Sequence, residues 1–575
     1  MLSSKSQQLL KDRLIKIYRP VDKNININFY HNELLKLINR FNKKFKKRKK
    51  IHISEKTSLL ITYGDSLIQN GADHTLKHFK KFFNKYLSNY FNAIHFLPFY
   101  PSSSDSGFAV KDHYKIDKKF GGWKDISSLS RSNFIMADIV INHASSRGLW
   151  FKNYLRNKSP GKDYFLSVDH NFNINNVIRP RGHKLLKKIE LFKKNIYLWR
   201  TFSSDQVDLN FKNPRVLMRY IKILINLLSH GVNIFRLDAI AYLWKENGTK
   251  CVNLKQTHEI IKFIKLVGIN LKSDSILVTE TNLPEKENLS YFGKGDEANW
   301  IYNFSLPPLL IHALSFEESS KLFKWSCKLP QAKRGTNYLN FIASHDGIGL
   351  RPAEGILNNK TLKIFFKRIK KNGGEFSYRK IKKGKKKVYE ANITIFNALE
   401  KTDKDPKGRY SFERYITAHA IMISFEGIPA IYLNSIFGTS NDFNKYIITN
   451  NKRDLNRYKW NKIRLEKNLK NKSSKQYKFY REIIKLLQIK KNQKAFHPNA
   501  MRKTIKSNKN LFIFKRISLD KKQTITCIFN LTSKIQSLNL DKKSVNSKNL
   551  LNDRKLHSIN NKVHIEPFQS LWLTN

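Results

Sequence analysis

The sequence predicts an α/β architecture: a (β/α)8 TIM barrel with two inserted subdomains at its C-terminal face, a helical N-terminal extension and a C-terminal β-sandwich. Three observations carry this. Eight short apolar runs recur along the chain, each followed by turn residues and a helical pattern, the rhythm of a parallel sheet closing on itself. Three of these runs lead into carboxylates, and barrels gather their chemistry at the C-terminal ends of their strands. After about residue 490 the pattern changes to short alternating runs, the period of half-buried strands.

Taken in order, residues 1–55 read as two amphipathic helices. Leu9, Leu10, Leu14 and Ile17 fall at helical spacing in the first, and Leu34, Leu35, Leu37, Ile38 and Phe41 in the second. The barrel is assigned to residues 56–485, with strands at 58–63, 93–97, 134–141, 232–235, 276–278, 300–302, 339–342 and 428–432. Two gaps, about 145–205 and about 350–415, are too long for simple connections. They follow the third and seventh strands and are read as subdomains over the active-site face. Residues 490–575, with Leu511-Phe-Ile-Phe514 and Thr524-Ile-Thr-Cys-Ile-Phe529, form the sandwich.

Composition narrows the class. With 40% hydrophobic and 12% aromatic residues in 575, the chain has ample material for a core and is not disordered. Cys251, Cys327 and Cys527 are few and scattered, which implies no disulfide frame and a reducing compartment. The first ten residues lack the apolar core of a signal peptide, and no run reaches membrane-spanning length. The expected location is cytoplasmic. The formal charge of +64 invites a polyanion-binding, non-catalytic reading. Lysine is nevertheless spread along nearly the whole chain, and the densest runs, 43–50 and 380–387, carry few aromatics for base stacking. They read as solvated helix ends and loops, so neither nucleic acid nor membrane is expected as a partner. A field of this sign concentrates small anions such as phosphate.

The strand ends carry the chemistry. Gly231-Val-Asn-Ile-Phe-Arg-Leu-Asp238 delivers Asp238 two positions after Arg236, and a neighbouring guanidinium is expected to lower the carboxyl and keep it ionised. Ser275-Ile-Leu-Val-Thr-Glu280 delivers Glu280 at the end of a buried run, where desolvation raises a carboxyl and suits it to proton transfer. Tyr338-Leu-Asn-Phe-Ile-Ala-Ser-His-Asp346 ends in His345 and Asp346. A nucleophilic carboxylate, a proton donor about 5–5.5 Å away and a third acid for the oxocarbenium-like transition state are what retaining exchange at a glycosidic bond requires.

Four segments together, Asn142-His143, Phe235-Arg-Leu-Asp-Ala239, Thr279-Glu-Thr-Asn282 and Ser344-His-Asp-Gly347, resemble the α-amylase clan, glycoside hydrolase family 13. The finer resemblance is to its sucrose phosphorylase subfamily, nearest the glucosylglycerate and sucrose 6'-phosphate phosphorylase types. It runs from about residue 58 to 460 and resumes in Glu566-Pro-Phe-Gln-Ser-Leu-Trp572. The resemblance implies Asp238 as nucleophile, Glu280 as acid/base and Asp346 as transition-state stabiliser. Arg236, His143 and His345 would hold the glucosyl ring. Asp105, in Ser104-Asp-Ser-Gly-Phe108, would bind its far hydroxyl, with Phe108 as an aromatic wall and Arg457 as the partner of Asp105. Such a carboxylate–guanidinium pair, if bidentate, closes a pocket around one sugar ring. Phe202 and Gln206 resemble acceptor-side and pocket-lining positions.

Arg181, in the loop Val177-Ile-Arg-Pro-Arg181, matches a position that helps bind phosphate. The resemblance thus implies a retaining glycoside phosphorylase, a hexosyltransferase that moves an α-glucosyl unit from a small glucoside to inorganic phosphate and releases α-glucose 1-phosphate. It implies no cofactor and no metal, although Asn142 and Asp208 sit where calcium-dependent relatives bind an ion. The chain is expected to act as a monomer or homodimer. A family 13 hydrolase or transglucosidase would use the same three acids without a productive phosphate site. Arg351 and Arg379, near the second insertion, are cations suited to an anionic acceptor, and the sequence alone places neither.

Overall fold

The computed structural model describes residues 2–45, 50–69, 74–380, 386–539, 547–556 and 562–574. Eight parallel strands close into a barrel: β1 (Leu59–Thr62), β2 (Ala93–Phe96), β3 (Phe134–Val140), β4 (Val232–Asp238), β5 (Ile276–Thr279), β6 (Trp300–Tyr302), β7 (Asn337–Asn340) and β8 (Ile428–Tyr432). Each pairs with its sequence neighbours, and β1 with β8 closes the ring. All eight expected strands are present. Every strand residue is buried, as a barrel filled within and covered by helices without requires.

Two boundaries differ from the sequence reading in ways that matter to the site. Strand β4 runs three residues further than expected and ends on Asp238 itself. Strand β7 lies two residues earlier, so His345 and Asp346 stand on the loop beyond Asn340 rather than on the strand. The backbone of Asn337 pairs in register with Trp300 of β6, which fixes that shift.

Two helices precede the barrel, α1 (Ser4–Tyr18) and α2 (Ile27–Lys44). In α1 the buried stripe is Leu10, Leu14, Ile17 and Tyr18, whereas Leu9 is exposed because it lies one step off the i, i+4, i+7 face. Arg13 of α1 reaches Glu259 on the helix after β4 at 2.7 Å.

After β3 the chain enters a small sheet of Ser167–Val168, Leu186–Leu191 and Lys194–Trp199 with its own core of Leu166, Val168, Leu185 and Trp199. It returns to the barrel where Gln206–Asp208 pairs antiparallel with His143–Ser145. After β7 a second sheet of Ile348–Gly349, Lys386–Asn392 and Glu375–Lys380 stands above the same face. The C-terminal part has a six-stranded sheet and a separate two-stranded sheet, Gln536–Asn539 with Lys562–Ile565. Alternation sorts its strands: Leu511, Ile513 and Ile528 face Val563 and Ile565 in one cluster, while Phe512, Phe514 and Phe529 join the core of the barrel.

Candidate active site

A cavity opens at the C-terminal face of the barrel, lined in part by Asp105, His143, Asp238, Glu280 and Asp346. Ten of the twelve residues singled out in the sequence line it: these five with Phe108, Arg181, Phe202, Gln206 and His345. Arg236 lies beneath the floor and Arg457 behind one wall.

The floor is a stack of buried charge. On adjacent strands Arg236 sits in register with Asp138. Its Nη1 donates to both Asp138 and Asp238, the latter at 2.7 Å. Asp138 also meets His95 Nε2 at 2.9 Å. Arg236 Nη2 is 3.9 Å from Glu280, whose Oε2 accepts the Ala239 backbone N–H at 2.8 Å. Ala239 takes the left-handed conformation, φ 50°, so the chain turns sharply after Asp238 and aims this N–H at the neighbouring acid.

One guanidinium therefore serves three carboxylates. The expectation that it holds Asp238 low does not survive this sharing. Burial pushes Asp238 well above the usual carboxylate range in the empty site, against the pull of Arg236, and nearby Glu280 adds to the rise. Burial also raises Glu280, the direction that proton donation needs.

Asp346 lies on the other side of this balance. Burial alone would raise it, but Arg453, His345 and Arg457 hold it well below the usual range. Arg453 Nη1 is 2.7 Å from Asp346, and its Nε and Nη2 donate to the two oxygens of Glu390 at 2.9 and 3.0 Å.

One end of the cavity is aromatic and polar. Phe108 stacks on His345, with ring centroids 5.1 Å apart and planes 7° from parallel. His143 Nε2–H donates to the Phe108 carbonyl, 3.1 Å away, and its ring leans on Phe202. Burial lowers His143 and His345, so both rings are neutral near pH 7. Asp105 sits on a left-handed turn, φ 52°, and accepts from Gln206 Nε2 at 3.2 Å. Gly107 holds that turn: a Cβ there would stand 2.5 Å from the Pro98 carbonyl.

The pairing expected between Asp105 and Arg457 is looser than bidentate. Arg457 Nη1 is 4.0 Å from Asp105, because it donates to Ser106 Oγ at 2.8 Å while Nε donates to the His345 carbonyl at 2.9 Å. Nε and Nη1 thus fix two loops, Nη2 lies 3.8 Å from Asp346, and Asp105 keeps an oxygen free for a ligand.

On the opposite wall, Arg181 lies over the Tyr389 ring at 5.6 Å and 4.0 Å from Glu390. Arg379 lies elsewhere, donating to both oxygens of Glu354 at 3.0 and 3.2 Å. Arg351 is buried. Where an ion would sit between Asn142 and Asp208, Lys245 places its ammonium 2.5 Å from Asp208 and 2.9 Å from Asn142 Oδ1. Among the described residues no cluster of three or more His, Cys, Asp or Glu forms a metal site, and no helix is long and apolar enough to cross a membrane.

Sequence reasoning missed Asp138, Arg453 and Glu390. Asp138 is a lone acid inside an apolar strand, the one clue to it. Arg453 shares a five-residue stretch with Arg457, and Glu390 follows Tyr389 in a strand whose alternation is weak. Only the fold brings them to the acids.

A closed barrel that carries three carboxylates at or beyond the C-terminal ends of its fourth, fifth and seventh strands, around one cavity, defines an enzyme acting on glycosidic bonds. The α-amylase family profile, described as the α-amylase catalytic domain, matches residues 85–347. The chain is 34% identical over 528 residues to glucosylglycerate phosphorylase of Escherichia coli, covering 92% of this chain and 93% of that one. It is 35% identical over 521 residues to glucosylglycerate phosphorylase of Allomeiothermus silvanus, covering 90% and 91%. The crystal structure of sucrose 6F-phosphate phosphorylase from Thermoanaerobacter thermosaccharolyticum superposes with a TM-score of 0.72 at 23% identity, covering 84% of this chain and 95% of that one. The chain belongs to the α-amylase family, glycoside hydrolase family 13, together with glucosyl phosphorylases.

Proposed function

We propose that this protein is a retaining α-glucoside phosphorylase, transferring the glucosyl unit of a small glucoside such as glucosylglycerate to inorganic phosphate. The observation that carries the reading is the placement of Asp238, Glu280 and Asp346 around one cavity with Arg181 on its wall.

In the first step Asp238 attacks the anomeric carbon from below while Glu280 protonates the departing acceptor oxygen. Asp346, kept anionic by Arg453, opposes the positive charge that grows on the ring. The two neutral histidines, Asp105 and Phe108 hold the glucosyl unit. In the second step phosphate attacks the β-glucosyl ester from the face the acceptor left, and Glu280, now ionised, takes its proton. Two inversions at carbon give α-glucose 1-phosphate. Burial raises both Asp238 and Glu280, the direction that suits one of the pair to carrying the proton. The 2.7 Å contact of Arg236 with Asp238, against 3.9 Å to Glu280, favours Asp238 as the ionised member. The enzyme acts in the cytoplasm as a monomer or homodimer.

The test is release of glucose 1-phosphate from glucosylglycerate, sucrose and sucrose 6'-phosphate, with and without phosphate. Phosphate-dependent glucose 1-phosphate is the expected product. Free glucose at the same rate with phosphate omitted would establish a hydrolase instead.

A further inference from the structure

Arg351 is a buried guanidinium that the reaction above does not use. It begins a short turn after the strand Ile348–Gly349 in the second insertion and is 3% exposed. Its Nε and Nη1 are buried with no hydrogen-bond partner, and no carboxylate among the described residues lies within ion-pair distance. A charge left so is costly unless something else occupies the site.

Its place is set by the backbone. The preceding residue, Leu350, donates its N–H to the carbonyl of Tyr389 at 3.1 Å, and Gly349 pairs with Glu390. Tyr389 and Glu390 both line the cavity. Gly349 also packs so closely on Asn282 that a Cβ would stand 2.7 Å from Asn282 Oδ1. That oxygen is likewise buried and unpartnered, and Asn282 lines the cavity two residues after Glu280. Burial raises the Tyr242 and Tyr389 hydroxyls, and Arg351 and Arg181 both pull them down while Glu280 pushes them up.

Arg181 and Arg453 line the cavity with Glu390 and Asp346, two acids already engaged by Arg453. Arg351 stands next to this wall, one residue beyond the strand that pairs with Tyr389 and Glu390. Neither acid is within ion-pair distance of Arg351 among the described residues.

We propose that Arg351, beside Arg181, binds the negative charge of the acceptor and selects small hydroxy acids bearing a carboxylate, of the glycerate kind, over neutral polyols. A planar guanidinium matches a carboxylate in geometry as well as charge. This rests on the phosphorylase reading, and the test separates the two.

The enzyme is charged from α-glucosyl fluoride, a donor that needs no phosphate, and offered D-glycerate, glycerol, fructose 6-phosphate or inorganic phosphate. For wild type, glycerate is the preferred acceptor. In Arg351→Gln the ratio of kcat/KM for glycerate to that for glycerol falls roughly 10- to 100-fold, as loss of a charge-assisted bond predicts, with the change in KM. Arg351→Lys restores part of it. An equal loss on glycerate and glycerol in both variants makes Arg351 structural and overturns the proposal. So does a wild type that prefers glycerol or fructose 6-phosphate to glycerate. Failure of the charged wild type to form glucose 1-phosphate from phosphate sinks the phosphorylase reading itself, whatever glycerate does.

Discussion

Replacing Lys245 by Met removes an ammonium that ties three loops together above the barrel. Its Nζ lies 2.5 Å from Asp208, on the strand returning from the first insertion, and 2.9 Å from Asn142, just after β3. Lys245 itself follows β4. The bare Coulomb attraction at this distance is about 6–7 kcal/mol at an effective dielectric of 20, before desolvation is subtracted. Removing one partner of a buried pair costs about 3–5 kcal/mol, since the remaining charge stays buried. Asp208 would keep three donors, the Thr201 N–H at 2.8 Å, the Thr201 hydroxyl at 2.6 Å and Asn142 Nδ2 at 3.0 Å, which puts the expected loss near 3 kcal/mol. Urea unfolding followed by near-ultraviolet circular dichroism measures it. Lys245→Met/Asp208→Asn should recover much of the loss, because it removes the orphaned charge as well. Chelator should leave the wild type unchanged. An unchanged unfolding midpoint in Lys245→Met, or a wild type that loses stability in chelator, would refute the ammonium as the group that holds these loops.

Asp238→Asn should lower glucosyl transfer roughly ten-thousand-fold or more, because the amide forms no ester. It should also stabilise the fold at neutral pH by about 1–3 kcal/mol, since a buried carboxyl that burial pushes up is penalised when ionised. Glu280→Gln should lose roughly 100- to 10,000-fold with glucosides and much less with glucosyl fluoride, whose leaving group needs little protonation. Arg453→Met should cost about 3–5 kcal/mol by stranding Asp346 and Glu390, and steady-state assays should show kcat falling as Asp346 picks up a proton. Arg181→Ala should shift partition of the glucosyl-enzyme from phosphate toward water roughly 10- to 100-fold, read as the ratio of glucose 1-phosphate to glucose. Lys490, whose ammonium donates to the Thr57 carbonyl at 2.5 Å, is pushed down to about 7 by burial. An unfolded lysine holds its proton to about 10.4, so the unfolded chain binds more protons between these values and stability rises with pH there. Lys490→Met should remove up to about 1.4 kcal/mol per pH unit of that rise, measured by urea unfolding from pH 7 to 10.

The barrel was legible because its signal is local. A buried parallel strand is a short apolar run whatever its partner, and β6, three residues long, still shows as Trp300-Ile-Tyr302. The three acids around the cavity were legible for the same reason, each standing at or beyond the end of such a run. What the sequence could not show is who shares a charge with whom. Arg236 and Asp238 are two residues apart, which suggested a private pair, but Asp138 is 98 residues away and reaches the same guanidinium only because β3 and β4 are neighbours in register. Arg453 and Arg457 look equivalent in the sequence, yet one clamps Asp346 and Glu390 while the other is consumed by Ser106 and the His345 carbonyl. The bidentate Asp105–Arg457 clamp failed for that reason.

Charge sharing also explains how phosphate wins over water. Water outnumbers millimolar phosphate about ten-thousand-fold, a handicap of roughly 5.5 kcal/mol at 1.4 kcal/mol per tenfold. Contacts that bind only the anion must supply that difference. Hydrogen bonds to a charged group contribute about 1.5–3 kcal/mol each, so two or more such bonds made only to the anion reach the required range. Arg236 is unavailable, being committed to Asp138 and Asp238 on the floor, and Arg453 is committed to Asp346 and Glu390. Arg181 and Arg351 are the pair left over on the acceptor side, one loosely held at 4.0 Å from Glu390 and the other without a partner. The arginines that stabilise the acids and those that wait for an anion are thus separate sets, and phosphate can enter without disturbing the charge that Asp238 and Asp346 need.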